Sequence, residues 1–87
     1  NEIFIDIDNI SDLSSYAKLY SFFESMTSIE NIMLVEVQGL HRRFKLNVLG
    51  SKENLIASLK LSKKLIQQID PLAAKNADDI PVFSWLN

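Results

Sequence analysis

The hydrophobic residues of this chain change their spacing along its length, and that change constrains the fold more than any other feature. From Glu2 to Asn9, Ile3, Ile5 and Ile7 alternate with Glu2, Phe4, Asp6 and Asp8. A period of two carried by branched apolar residues predicts a strand buried on one face only. From Leu13 to Met26 the spacing turns helical: Leu13, Tyr16, Ala17, Tyr20 and Phe23 fall three or four apart, with Leu19 and Met26 beside them. Ser11 or Asp12 supplies the cap, because a short side-chain oxygen accepts from the free amides of a first helical turn. After a polar break from Thr27 to Asn31, the segment Ile32 to Gln38 alternates again and predicts a second strand.

Gly39-Leu40-His41-Arg42 is short enough for a hairpin connection, with Gly39 free to take a positive φ. Arg43 to Leu49 predicts the third strand, with Phe44, Leu46 and Val48 on one face and Arg43, Lys45 and Asn47 on the other. Gly50 ends it and Ser51 caps a second helix. On a helical wheel Leu55, Leu59, Leu65, Ile66 and Ile69 share one arc, with Glu53, Lys60, Lys64, Gln67 and Gln68 opposite. The pair Asp70-Pro71 stops that helix, since proline disfavours a helical residue before it. Leu72 to Asp79 predicts a loop. Ile80 to Leu86 predicts a last strand, placed at a sheet edge by Pro81, which lacks a ladder donor.

The order β-α-β-β-α-β, with right-handed crossovers, predicts a four-stranded antiparallel sheet ordered 4-1-3-2 with both helices on one face. The expected class is α+β and the expected architecture a ferredoxin-like sandwich. Its core would hold the isoleucines of the first strand, Val35, Val37, Phe44, Leu46, Val48 and the two helix stripes. At 87 residues the chain has the size of one domain, and Asn1 in place of methionine points to a piece of a longer protein. With 47% hydrophobic and 23% charged residues it is an ordinary globular composition. The absence of cysteine excludes disulfides and thiolate metal sites. A pI of 5.2 argues against a dedicated nucleic-acid binder, and no apolar run is long enough for a membrane span.

Four features resemble chemistry. Phe4-Ile5-Asp6-Ile7-Asp8, followed downstream by Asp78-Asp79, resembles the D-x-D site of haloacid-dehalogenase phosphotransferases, where one aspartate attacks and the other moves a proton. Those enzymes need a longer doubly wound domain, and Ile10 stands where they carry threonine or valine. Adjacent first and third strands explain the same aspartates better, since Asp6 and Asp8 would then share a face with Arg43 and Lys45 as cross-strand charge pairs. The basic run His41-Arg42-Arg43-Phe44-Lys45 is reminiscent of RNA-recognition modules, but the third strand offers no aromatic on its outer face. His41, the single histidine, reads as a solvated turn residue, and Lys52, Lys60, Lys63 and Lys64 as a solvated helix flank. No catalytic residue, metal or cofactor is expected.

A helix-free sheet face is the remaining candidate site. Phe4, Ile32, Leu34, Arg43, Lys45 and Trp85 are expected there, with Phe83 and Trp85 or Val82 and Leu86 facing out from the last strand. Apolar groups with a polar surround mark an interface more often than not. The partner expected is another protein domain or a second copy of the chain.

Several landmarks also resemble one family. These are Ile10-Ser11-Asp12-Leu13-Ser14-Ser15-Tyr16, the lone Ile29, Val35-Glu36-Val37-Gln38-Gly39, Phe44-Lys45-Leu46-Asn47-Val48 before Gly50, Leu55, Leu59-Lys60-Leu61 and Leu65, and a closing segment ending in Trp85. Together they resemble the C-terminal domain of a bacterial periplasmic family, domain-of-unknown-function family two-zero-six-six. Where that family closes on an aromatic, a base and tryptophan, this chain has Phe83-Ser84-Trp85. The resemblance implies a periplasmic or envelope setting and a non-enzymatic interaction role, and carries over no catalytic residues. A small-molecule sensor of the ACT type, which shares the expected topology, is the alternative. Those domains usually bind at a glycine-bearing first turn, and here the turn is Asn9-Ile10-Ser11-Asp12.

Overall fold

The computed structural model describes residues 1–68 and 80–86. Two helices and five strands follow one another as β1 (Glu2–Asp8), α1 (Leu13–Glu24), β2 (Ile29–Gln38), β3 (His41–Val48), α2 (Lys52–Leu61), β4 (Leu65–Gln68) and β5 (Val82–Trp85). The class is α+β. The sheet is five-stranded and mixed, in the order β2-β3-β1-β5-β4, rather than four-stranded and antiparallel. β1 is antiparallel to β3 and parallel to β5, and β4 is antiparallel to β5.

Alternation forms β1 and β3 as the sequence predicts. Ile3, Ile5 and Ile7 pair with Leu46, Phe44 and Arg42, and the isoleucines, Phe44, Leu46 and Val48 are all buried. Side chains paired directly across a ladder share a face, so these residues build one apolar layer under the helices. Phe83 and Trp85 of β5 extend that layer, and Phe23 and Leu19 of α1 with Leu55 and Leu59 of α2 close it from the other side. Phe23 meets Phe44 edge-on with ring centroids 5.6 Å apart, one of the preferred aromatic geometries.

Both helices are capped at their N-termini by the residue type the sequence offers. The Asp12 carboxylate accepts from the Ser15 amide at 2.7 Å, which holds its pKa below the ordinary carboxylate value. The Ser51 hydroxyl accepts from the Asn54 amide at 3.1 Å. Gly39 and Gly50 take positive φ, +57° and +88°, at the hairpin and at the end of β3. Asn9, at φ 69°, turns the chain out of β1 and donates through Nδ2 to the Trp85 carbonyl at 2.9 Å. Asparagine tolerates that left-handed geometry better than most residues.

Three departures concern the second half of the chain and one concerns β2. α2 stops at Leu61 rather than running to Ile69; Ser62 closes it and Lys63 adopts φ 62°. Leu65 to Gln68 then form β4, in which Leu65 is buried and Ile66 is exposed. Ile69, the Asp70-Pro71 stop and the expected loop from Leu72 to Asp79 lie outside the described residues. β5 is an interior strand, flanked by β1 and β4. Pro81 precedes the ladder, and its carbonyl accepts from the Asp6 amide at 3.0 Å, so the missing donor costs the interior strand nothing. β2 begins at Ile29, and Val35 and Val37 are 43% and 53% exposed instead of lying in the core.

Phe44 is fully buried against Tyr16 and Phe23. Its replacement by alanine is expected to cost about 3–5 kcal/mol of unfolding free energy, measured by urea denaturation followed at Trp85. Ile66→Ala, on the exposed side of β4, is expected to cost far less.

Candidate functional site

β1 and β3 project a polar row from the face opposite the helices. Asp6 pairs across the ladder with Arg43, Phe4 with Lys45 and Glu2 with Asn47. Asp6 is only 4% exposed, which makes an ionised carboxylate costly unless it is paired. Arg43 supplies that pairing through Nε to Oδ1 at 2.7 Å and Nη2 to Oδ2 at 3.0 Å. Two parallel charge-assisted bonds of this kind are the strongest arrangement available to a carboxylate. Burial by itself pushes the Asp6 pKa up, but the hydrogen bonds and charges of Arg43 and His41 outweigh it and hold the carboxyl below its ordinary value. The same contact raises the Arg43 pKa further.

The row continues on both sides. His41 places Nε2 3.2 Å from Asp6 and Nδ1 3.5 Å from Asp8. It is the first residue of β3, clasped by two carboxylates, and not the solvated turn residue the sequence predicts. Gln68 of β4 donates to the Ser84 hydroxyl at 2.6 Å and lies 3.4 Å from Asp8. Arg43 also reaches Glu36 of β2 at 3.5 Å, and Lys45 pairs with Glu2 at 3.1 Å. The expected exchange of charge between the first and third strands is therefore present. Its partners are Asp6 with Arg43 and Glu2 with Lys45, while Asp8 turns to His41 and Gln68.

The six residues expected on the open face separate into two groups. Phe4, 45% exposed, Arg43 and Lys45 lie there. Ile32 and Leu34 pair with Leu46 and Phe44, which puts them on the helix-covered face, and Ile32 packs against the core. Met33, opposite Lys45, takes the outward position instead. Trp85 is 3% exposed and lies against Phe22 with ring centroids 6.1 Å apart. Val82, paired with Asp6, and Ser84 face outward from β5.

Exposed apolar side chains gather on and beside β2: Met33, Leu34, Val35, Val37 and, in the turn, Leu40. Among the described residues no group of three or more His, Asp or Glu side chains is placed to hold a metal ion, and no helix is long and apolar enough to cross a membrane. Asp78-Asp79, the acidic pair of the phosphotransferase-like pattern, lie outside the described residues. Asp6, the candidate nucleophile of that pattern, has both oxygens engaged by Arg43. Comparison with protein-family models, with curated proteins and with solved structures finds no match for this chain.

The Asp6 pairing predicts a pH dependence of stability. A carboxyl with a depressed folded-state pKa stabilises the fold above its unfolded value, and that contribution disappears as pH falls through the folded pKa. Asp6→Asn is expected to be less stable than the parent at pH 7 by about 1–3 kcal/mol. The difference should narrow below the ordinary carboxylate range, as urea titrations at a series of pH values would record.

Proposed function

We propose that this chain is a non-enzymatic protein-interaction domain that receives a second copy of itself along β2. The observation that carries the reading is the exposure of Met33, Leu34, Val35 and Val37 on a ten-residue edge strand. A strand of an ordinary one-sided sheet hides its apolar face. Beyond Ile32, β2 hides neither. Its outer main-chain groups lie on an edge with no neighbouring strand among the described residues, which is a template for strand addition. Of the devices that blunt edge strands, β2 lacks lysine and proline and carries two glutamates and two bulges. Its two register shifts, between Ile29 and Asn31 and between Leu34 and Glu36, are the device that twists it.

A second copy fits this edge because antiparallel pairing of one strand with itself about a two-fold axis closes into a dimer. Phe4 and Met33 extend the apolar contact onto the open face. The polar row of Asp6, Arg43 and Lys45 supports a bordering role, since its charges are already matched within the domain. The family resemblance adds a periplasmic or envelope setting to this reading. The strand order supports a ferredoxin-like plan with one additional strand. Leaving out β5 gives β2-β3-β1-β4 with alternating directions, and on this reading β5 is the additional strand, between β1 and β4.

Sedimentation velocity from micromolar to millimolar protein tests the reading. The expected result is a concentration-dependent dimer that is lost when Val35 and Val37 are both changed to lysine, with circular dichroism unchanged. A parent domain that stays monomeric at millimolar concentration overturns it.

A further inference from the structure

On the helix side of the sheet, a groove of about 650 Å³ runs between α1 and the ends of β4 and β5. Its origin is legible in α1. Ala17 and Ser21 lie one turn apart on the helix flank that faces β5, and their short side chains leave space that larger residues would fill. The opposite wall is Trp85 and Leu86 with Lys64. Hydrogen bonds to the main chain hold that wall in place: the Leu86 amide donates to the Lys64 carbonyl at 2.9 Å, and the Asn9 side-chain amide donates to the Trp85 carbonyl at 2.9 Å. Phe22, tilted against Trp85, makes the floor aromatic.

The charge of the groove is one-sided. Two lysines line it, Lys18 from α1 and Lys64 from the turn into β4, and among the described residues no acidic side chain does. Neither lysine makes an ion pair with a described residue; Lys18 acts on Asp12 at longer range, and that carboxylate is already engaged by the Ser15 amide. In a domain with a net charge of −2, a groove whose charged residues, among those described, are both lysines is a local reversal. Its size falls within the range of ligand clefts, and its make-up matches theirs: an apolar body with a few polar groups that fix orientation.

We propose that this groove binds a small carboxylate with a short aliphatic or aromatic body. The body lies on Phe22, Trp85 and Leu86, and the carboxylate sits between the ammonium groups of Lys18 and Lys64. The contact is an ionic and apolar association with no covalent step. The site is independent of the β2 edge, because β2 and β4 are the opposite margins of the sheet.

Trp85 is the single tryptophan of the chain and lies in the groove wall, so its fluorescence reports occupancy directly. Octanoate is the probe and octanol the neutral control. Octanoate is expected to change Trp85 emission saturably and at least tenfold more tightly than octanol. The Lys18→Ala, Lys64→Ala double variant should lose at least tenfold in octanoate affinity while its affinity for octanol is unchanged. Ser21→Leu, which fills the groove from α1, should abolish binding of both, with circular dichroism verifying the fold of each variant. An emission that does not saturate with octanoate overturns the site. Equal affinity for octanoate and octanol, or for octanoate in the parent and the double-lysine variant, overturns the carboxylate assignment. Sedimentation of the same samples reads the dimer separately, so the failure of either reading leaves the other standing or falling by its own measurement.

Discussion

The bidentate contact between Asp6 and Arg43 is the constraint on which the register of the sheet depends. β1 is the central strand, and its two faces make opposite demands. Its isoleucines must lie under the helices, and its one buried carboxylate must lie under a guanidinium. A slip of one residue between β1 and β3 would turn Asp6 into the apolar layer and Ile5 and Ile7 into water. Both errors are costly, one because an unpaired charge is desolvated and the other because apolar area is exposed. Ion pairs of this kind add little net stability over an apolar replacement, so the contribution of this pair is best placed in specificity. It makes wrong registers expensive while leaving the right one satisfied. Among the described residues no buried side-chain polar atom lacks a partner.

What could be read from the sequence was the part decided by neighbours in the chain. β1 and β3 carry one unbroken period each, and their burial follows it. α1 forms where its period predicts, but it buries Ser15, Leu19 and Phe23, while Leu13 and Ala17 of the expected stripe are exposed and Tyr16 and Tyr20 are half-buried. The segment from Leu55 to Ile69 satisfies two descriptions at once. Leu65 is buried either as the next turn of α2 or as the first residue of β4, and only pairing with β5, Leu65 opposite Trp85, separates them. That partner is twenty residues away and leaves no mark on the local pattern. Pro81 misleads for a similar reason. A proline excludes an interior ladder position but not the position just before one, where its carbonyl still serves as acceptor.

On β2 the alternation read from the sequence departs from the structure, because the strand changes parity. Ile32 and Leu34, even-numbered, sit opposite the core residues Leu46 and Phe44, and the register then shifts before Glu36. Beyond the shift the even-numbered residue, Glu36, faces Arg43 on the open side. An extra residue of this kind reverses every later side chain, and nothing in Ile32-Met33-Leu34-Val35 announces it, since all four are apolar. Phe4, Arg43 and Lys45 lie on the expected face because β1 and β3 keep their alternation throughout their ladder. Trp85 was undecided between two phases. Parallel pairing with β1, Asp6 beside Val82 and Ile7 beside Phe83, sets the phase that buries it.

The distribution of charge left over after these pairings separates the two margins of the sheet. The acids of β1 are matched by Arg43, His41 and Lys45 at the centre. Glu30 remains on β2 along with Glu36, which shares Arg43 with Asp6, whereas Lys60, Lys63 and Lys64 flank the start of β4. Opposite signs at opposite margins would favour head-to-tail stacking of copies, β2 of one against β4 of the next. Geometry opposes it. β4 offers four residues and β2 ten, and a head-to-tail contact that does not close on itself grows into an open filament. Pairing β2 with β2 uses the longer ladder and ends at two copies. It also leaves the basic margin uncovered, which is where the groove beside α1 opens and where an anion can reach Lys64. Charge therefore separates the two margins, but on the proposed pairing ladder length rather than charge selects the margin that meets another chain.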